Sequence, residues 1–143
     1  MPGRQCAALP VRGSGEAIEV LLVTSRDTGR WVLPKGWVEK GWAPPDMAAR
    51  EAFEEAGVEG RIRSAPIGSY TYDKRLPKNR IRVCKVHVFV LEVERELDAW
   101  PEMDQRQRRW MTPGQAAYLV AEGGLVDLLL RIAADPGHVL DAA

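Results

Sequence analysis

The chain has 143 residues with 20 basic and 20 acidic side chains, a length that suits one domain and a charge balance that gives no ground for a general binder of nucleic acid or anionic membrane. Cys6 and Cys84 lie far apart without metal-type spacing, so reduced thiols are expected, a single bridge between them being the alternative. No run reaches the roughly 18 apolar residues of a membrane span, and the start "MPGRQCAALPVRG" has no apolar signal core, so the reading is a soluble, cytoplasmic protein.

In chain order, "EAIEVLLVT" (Glu16 to Thr24) is a short β-branched-rich run bounded by Gly15 and by Asp27 to Gly29, and reads as a buried strand. "RWVLPKG" reads as a second short strand stopped by Pro34 and Gly36. From Pro44 to Ala56 the residues turn to Ala, Met and Glu, with prolines in front and Gly57 just past the end, the usual asymmetry of a helix. Ala43 at the N-cap has no side-chain acceptor, so something else must hold that start. "PIGSYTYDK" and "RIRVCKVHVFVLEVE" read as two strands of a hairpin, joined by the turn-like "RLPKN" and carrying a basic mouth. An acidic, irregular "LDAWPEMDQ" leads into a strand at "RQRRWM", then helices at "PGQAAYLVAEG" and "GLVDLLLRIAAD", and residues 135–143 read as a loosely held tail. Strands interleaved with helices predict α/β layering on one mixed sheet, in a single domain over residues 1–143.

The segment "REAFEEAG" (Arg50 to Gly57) crowds three carboxylates into eight residues. At about 100° per residue, Met47, Glu51, Glu54 and Glu55 fall on one side of the helix and Ala48, Ala49, Ala52, Phe53 and Ala56 on the other. The small apolar side suits a close approach to a sheet. Glu51, Glu54 and Glu55 can converge on one point, where without a cation they would raise one another's pKa. Mg²⁺ or Mn²⁺ reverses that sign, because a hard ion takes oxygen ligands and leaves room for phosphates and water. Arg50, four before Glu54, can orient one acid. The loop "LPKGWVEKGW" offers a cation at Lys35 and a backbone carbonyl at Lys35 or Gly36 beside the same point. The competing reading is a plain solvated acidic face.

From Gly36 to Val58 the chain resembles the Nudix box, G-x5-E-x7-R-E-U-x-E-E-x-G-U with U aliphatic, matching at Gly36, Arg50, Glu51, Glu54, Glu55, Gly57 and Val58. The resemblance implies a Nudix fold, a three-layer α/β/α sandwich on a mixed sheet, and a metal-dependent hydrolase of phosphoanhydrides. It implies catalytic Glu51, Glu54, Glu55 and Arg50, with Mg²⁺ or Mn²⁺ held by Glu51, Glu54, Glu55 and the carbonyl of Gly36. Either Glu51 or Glu55 would take the proton of the attacking water. Trp42 stands where the pattern has its first glutamate, which predicts fewer or weaker ions; the indole is either a hydrophobic plug on the loop or a stacking surface for a base. Ala52 fills the aliphatic position with a small residue.

Beyond the box, "RQCAALPVR", "EVLLVTSRDTGRWVLPKGW", "YTYDKRLPKNRIRVCKVHVFVLEV" and "ELDAWPE" with "RQRRWM" resemble the diphosphoinositol polyphosphate and diadenosine polyphosphate hydrolases. That implies a small-molecule polyphosphate substrate bound by Arg4, Arg26, Lys35, Lys74 and Arg75, with Lys78 and Arg80 nearer to solvated edge protection. "LPKG" is closer to the diadenosine enzymes than to the inositol ones. Alternatives are another nucleoside diphosphate pyrophosphatase, or a weakened domain that binds nucleotides without turnover. Nucleic acid is not an expected partner, because the basic residues are not interleaved with aromatics. Monomer and homodimer both stay open, and His87 and His138 are read as structural or solvated.

Overall fold

The computed structural model describes residues 2–141. Its strands are β1 (Gly3–Arg12), β2 (Glu19–Thr24), β3 (Trp31–Val32), β4 (Lys35–Trp37), β5 (Val58–Ile62), β6 (Gly68–Leu76), β7 (Arg80–Glu96) and β8 (Arg108–Met111). The helices are α1 (Pro44–Glu51), continued by a π turn at Ala52–Ala56, then α2 (Pro113–Leu119), α3 (Gly123–Ala134) and α4 (Pro136–Asp141).

The described strands form one sheet in the order β3-β2-β1-β7-β5, with β4 also on β1, β6 also on β7 and β8 also on β2. β1 and β7 run parallel, from Gly3 opposite Cys84 to Val11 opposite Glu92, and the other pairs are antiparallel. Alternation along β1 feeds two cores. Ala7, Leu9 and Val11 pack with Leu125, Leu128, Leu129 and Ile132 of α3, whereas Cys6 and Ala8 pack with Met47, Ala48, Ala52 and Ala56 beneath α1. Helices on both faces of a mixed sheet make the expected α/β/α sandwich.

Central strand β1 is not among the sequence-predicted elements. Its two alanines and Pro10 argue against a strand, and a proline in mid-sheet removes a ladder donor. Ala8 donates its N–H to the Pro34 carbonyl at 3.0 Å, so the nitrogen of Pro10, two residues on, points to the same side. There β1 passes from β4, which pairs with Gln5 to Ala7, to β2, which pairs with Val11 and Arg12. Pro10 occupies the gap between two partners, where no N–H is required.

The two thiols are free and buried. Cys6 faces His87 across the parallel ladder and Cys84 faces Gly3, an offset of three residues that leaves no route to a bridge. At α1, Pro44 and Pro45 fill the first helical positions and Ala43 makes no side-chain cap; the prolines remove two of the unpaired N–H groups that a cap would serve. Gly57 ends the segment in the left-handed region at φ 65°. α2 carries a full capping box, Thr112 with Gln115 at 3.2 and 3.0 Å.

Two expectations need correction. Residues 136–141, read as part of a loose tail, form α4, and Leu140 is buried in the larger core; Val139 and Leu140 supply the apolar contact that anchors this short helix. Residues 142–143 of that tail lie outside the described residues. Met47, placed on the acidic side of the helix, lies in the core beneath it and is 1% exposed, because the buried stripe runs through 47, 48, 52 and 56.

Candidate active site

α1 lies on the sheet through small side chains, and its last turn widens. The Gly57 N–H reaches both the Ala52 and Phe53 carbonyls, and bonding across five residues makes each residue turn by less than in an α-helix. Glu54 therefore lags farther behind Glu51 than α-helical spacing predicts. Glu51 and Glu55 line one cleft of about 350 Å³, while Glu54 is bonded to Arg50 Nε at 2.8 Å and does not line it. The expected three-way convergence is thus two carboxylates facing each other and a third turned to its arginine.

Glu55 is 6% exposed. Burial, first, and then the hydrogen bond shared with the Glu51 carboxyl push its pKa up to about 8, with Arg106 pulling the other way. Burial also raises Glu51, and the neighbouring charges of Glu54 and Glu102 add to the rise. The Lys35 N–H donates to Glu55 Oε1 at 3.4 Å. Gly36 makes room for the other acid: a β-carbon there would lie 2.6 Å from the Glu51 carboxyl carbon.

The cleft also holds Arg26, Lys35 and Lys74, three of the five cations predicted to bind substrate. The Lys35 ammonium lies 5.3 Å from the centre of the Tyr72 ring, and the Tyr72 hydroxyl donates to Gln5 Oε1 at 2.7 Å. Burial lowers the Lys35 pKa, partly offset by Glu122 and Glu55. Arg4 and Arg75 do not line the cleft. Arg4 lies on β1 with its carbonyl accepting from Val38; Arg75 stands opposite Ile81, one register step from the cleft-lining Lys74, so it faces the other way. His87 sits in mid-strand opposite Cys6, away from the cleft; the His138 side chain lies outside the described features.

Glu102 and Arg106 complete the cleft and were not among the predicted site residues. The segment 100–105 folds over α1, its Glu102 N–H donating to the Glu54 carbonyl at 3.0 Å. Arg106 Nε donates to Glu102 Oε1 at 2.9 Å, its Nη1 to the Thr24 carbonyl at 3.1 Å, and its Nη2 lies 3.7 Å from Glu55 Oε1. A buried guanidinium between two carboxylates fixes the loop against the acid pair. The one sequence signal was the acidic run preceding "RQRRWM", which says nothing of where the loop folds. Trp42 is neither buried plug nor part of the cleft: it is 43% exposed, with the Arg50 guanidinium 5.0 Å over its ring.

Among the described residues no group of three His, Cys, Asp or Glu side chains forms a ready metal cage. The donor chemistry still fits a hard divalent ion. Buried Glu55 and half-buried Glu51 resist ionising beside each other in the bare protein, a divalent ion would favour their charged forms, and Mg²⁺ needs only one or two carboxylates when phosphate and water complete its shell.

A family model described as the NUDIX domain matches residues 1–129. The chain belongs to the Nudix domain family. Curated relatives include Nudix hydrolase 12, mitochondrial, of Arabidopsis thaliana, 38% identical over 105 residues, covering 71% of this chain and 52% of that protein. Another is diphosphoinositol polyphosphate phosphohydrolase 3-beta of Bos taurus, 32% identical over 109 residues, covering 75% and 62%. This Nudix domain thus spans about half to two thirds of the length of the curated relatives it matches. Among solved structures, a C. elegans Ap4A hydrolase superposes with a TM-score of 0.64 at 21% identity, over 94% of this chain and 98% of that one. A Nudix hydrolase from Nitrosomonas europaea gives 0.71 at 16% identity, over 94% and 90%. At those identities the structural likeness speaks for the fold. No described helix is long and apolar enough to cross a membrane.

Proposed function

We propose that this Nudix domain hydrolyses phosphoanhydride bonds in long polyphosphate compounds, of the diadenosine polyphosphate or diphosphoinositol polyphosphate class, by attack of water at phosphorus. The observation that carries the reading is the meeting of the Glu51 and Glu55 carboxylates with Arg26, Lys35 and Lys74 in one cleft. The acid wall suits metal and water; the cationic wall suits the phosphate chain. The bovine relative, named for a diphosphoinositol polyphosphate, supports one substrate class, and the "LPKG" resemblance supports the other.

Glu51 and Glu55, with the Gly36 carbonyl, would hold Mg²⁺ or Mn²⁺, and Glu54 would join them on turning from Arg50. Such an ion supplies charge neutralisation at the phosphate oxygens and lowers the pKa of water. Arg26, Lys35 and Lys74 hold the chain in line, so that positioning and charge do most of the catalysis. Glu51 or Glu55 takes the proton of water at a carboxylate oxygen. Arg106 keeps the Glu102 loop closed over that wall, and Arg50 orients Glu54.

The test is product formation from diadenosine tetraphosphate, a diphosphoinositol polyphosphate and ATP, each with Mg²⁺ or Mn²⁺. Turnover of a long-chain class, lowered about 10²–10⁴-fold in Glu55→Gln, is the expected result; equal turnover of ATP would refute the long-chain preference. A second reading, nucleotide binding without turnover, draws on Trp42 in place of a box glutamate; ligand binding with no turnover in any metal would favour it. A cytoplasmic site of action belongs to the first reading and is checked by cell fractionation.

A further inference from the structure

Trp37 was not singled out in the sequence, yet it is the indole that lines the cleft, 38% exposed. It projects from β4 on the same side as Lys35, two residues earlier. On the hairpin, β7 pairs with β1 only from Cys84 onward, so Arg80 to Val83 are paired with β6 alone and extend past the sheet. Arg82 stands directly opposite Lys74 and so shares the face that lines the cleft. Its guanidinium lies 5.1 Å over the Trp37 ring.

Two costs have been accepted to make this arrangement. Like charges directly opposite on paired strands destabilise a sheet, and Lys74 with Arg82 is such a pair. Gly3, at the start of β1, lies beneath both side chains: a β-carbon there would come 2.7 Å from Trp37 Cζ3 and 3.0 Å from Arg82 Nε. A phosphate chain in the cleft, held by Lys35 and Lys74, would relieve the like charges. The indole beside them offers that chain's end a flat apolar surface, and the stacked guanidinium holds the ring in place.

We infer that Trp37, braced by Arg82 over Gly3, is a stacking subsite for a nucleobase, and that it selects nucleoside-ended polyphosphates over base-free ones. A nucleobase presents a π face to an indole, whereas an inositol ring is puckered, carries oxygen on every carbon and has no such face. Trp42 does not fill this role, because it does not line the cleft. The inference deepens the hydrolase reading by naming the substrate class, but the stacking itself does not depend on turnover.

Binding is read first, by calorimetry of the whole chain with ADP and with inorganic pyrophosphate, which share the diphosphate and differ by the nucleoside. The wild type is expected to bind ADP about tenfold or more tighter, the range for one stacked base. Trp37→Ala should remove that preference while leaving pyrophosphate affinity within about twofold; Trp37→Phe should restore most of it, and Gly3→Ala should weaken it by displacing the ring. No ADP preference in the wild type, an unchanged preference in Trp37→Ala, or an equal loss for both ligands in a folded Trp37→Ala would each overturn the inference. In turnover, the kcat/KM ratio of diadenosine tetraphosphate to a diphosphoinositol polyphosphate should fall about tenfold in Trp37→Ala, through KM. Base-selective binding without any hydrolysis would sink the hydrolase reading and leave the stacking subsite standing.

Discussion

Replacing Glu55 by glutamine should stabilise the metal-free protein at alkaline pH while it destroys the site. The carboxyl is 6% exposed and has a pKa of about 8 in the fold against an ordinary 4.5. Below 4.5 both the folded and the unfolded chain hold the proton, and this group adds no pH dependence. Between 4.5 and about 8 the folded chain keeps a proton that the unfolded chain has released, so stability falls as pH rises; above about 8 the whole penalty is present. At about 1.4 kcal/mol per pH unit the gap is worth on the order of 5 kcal/mol, shared with Glu51 through their common hydrogen bond. Glutamine keeps the shape and removes the charge. Urea unfolding in EDTA at pH 5.5 and 8.5, for wild type and Glu55→Gln, isolates the effect as a difference of differences. The variant should gain several kcal/mol over wild type at pH 8.5 and far less at pH 5.5. Adding Mg²⁺ at pH 8.5 should raise the wild type by mass action and the variant much less. A variant less stable than wild type at pH 8.5 in EDTA, or a difference independent of pH, would refute the argument.

Arg108 donates to the carbonyls of Ala56, Gly57 and Leu97 at 3.0, 3.1 and 2.8 Å and stacks on Trp100, so Arg108→Met should cost about 3 kcal/mol by chemical denaturation, since it strands buried acceptors; the exposed Arg109→Met should be neutral. Gly57→Ala combines a φ of 65° with a collision against the Trp100 ring, and a loss of more than about 2 kcal/mol is expected in the same assay. Gly36→Ala pushes on the Glu51 carboxylate rather than on backbone, so it should lower kcat by about tenfold or more with little change in melting temperature. Arg106→Met frees the Glu102 loop and removes the counter-charge of Glu55, and faster amide exchange across 100–105 would report it.

The parts of the fold that follow local rules could be read from the chain. α1 announces itself by Pro44, Pro45 and Gly57, and the hairpin by two alternating runs around 75–79. β1 could not be read, because its identity comes from partners on both sides and from a gap at Pro10 that only the assembled sheet creates. In the site, the spacing of Glu51 and Glu55 was legible. Their separation from Glu54 was not, since it depends on a π turn that no local residue pattern marks. Arg75 and Lys74 are neighbours of the same charge, and telling them apart requires the register of β6 on β7. Arg106 reaches the acids only because residues 100–105 fold back over α1, a long-range contact without a sequence signature.

The site is organised from one of its shortest elements, β4. Lys35, Gly36 and Trp37 are three consecutive residues pinned to Ala7, Cys6 and Gln5 of β1, and alternation sends their side chains to opposite faces. Gly36 faces α1, where lacking a side chain it admits Glu51; the Lys35 backbone N–H meets Glu55. Lys35 and Trp37 face the hairpin, where they meet Tyr72 and Arg82. The acid wall and the cationic wall are therefore set against each other by one strand rather than independently. A slip of one residue would turn the glycine toward the hairpin and drive a large side chain into Glu51, so the register of this strand is specified by the site as strongly as by the core.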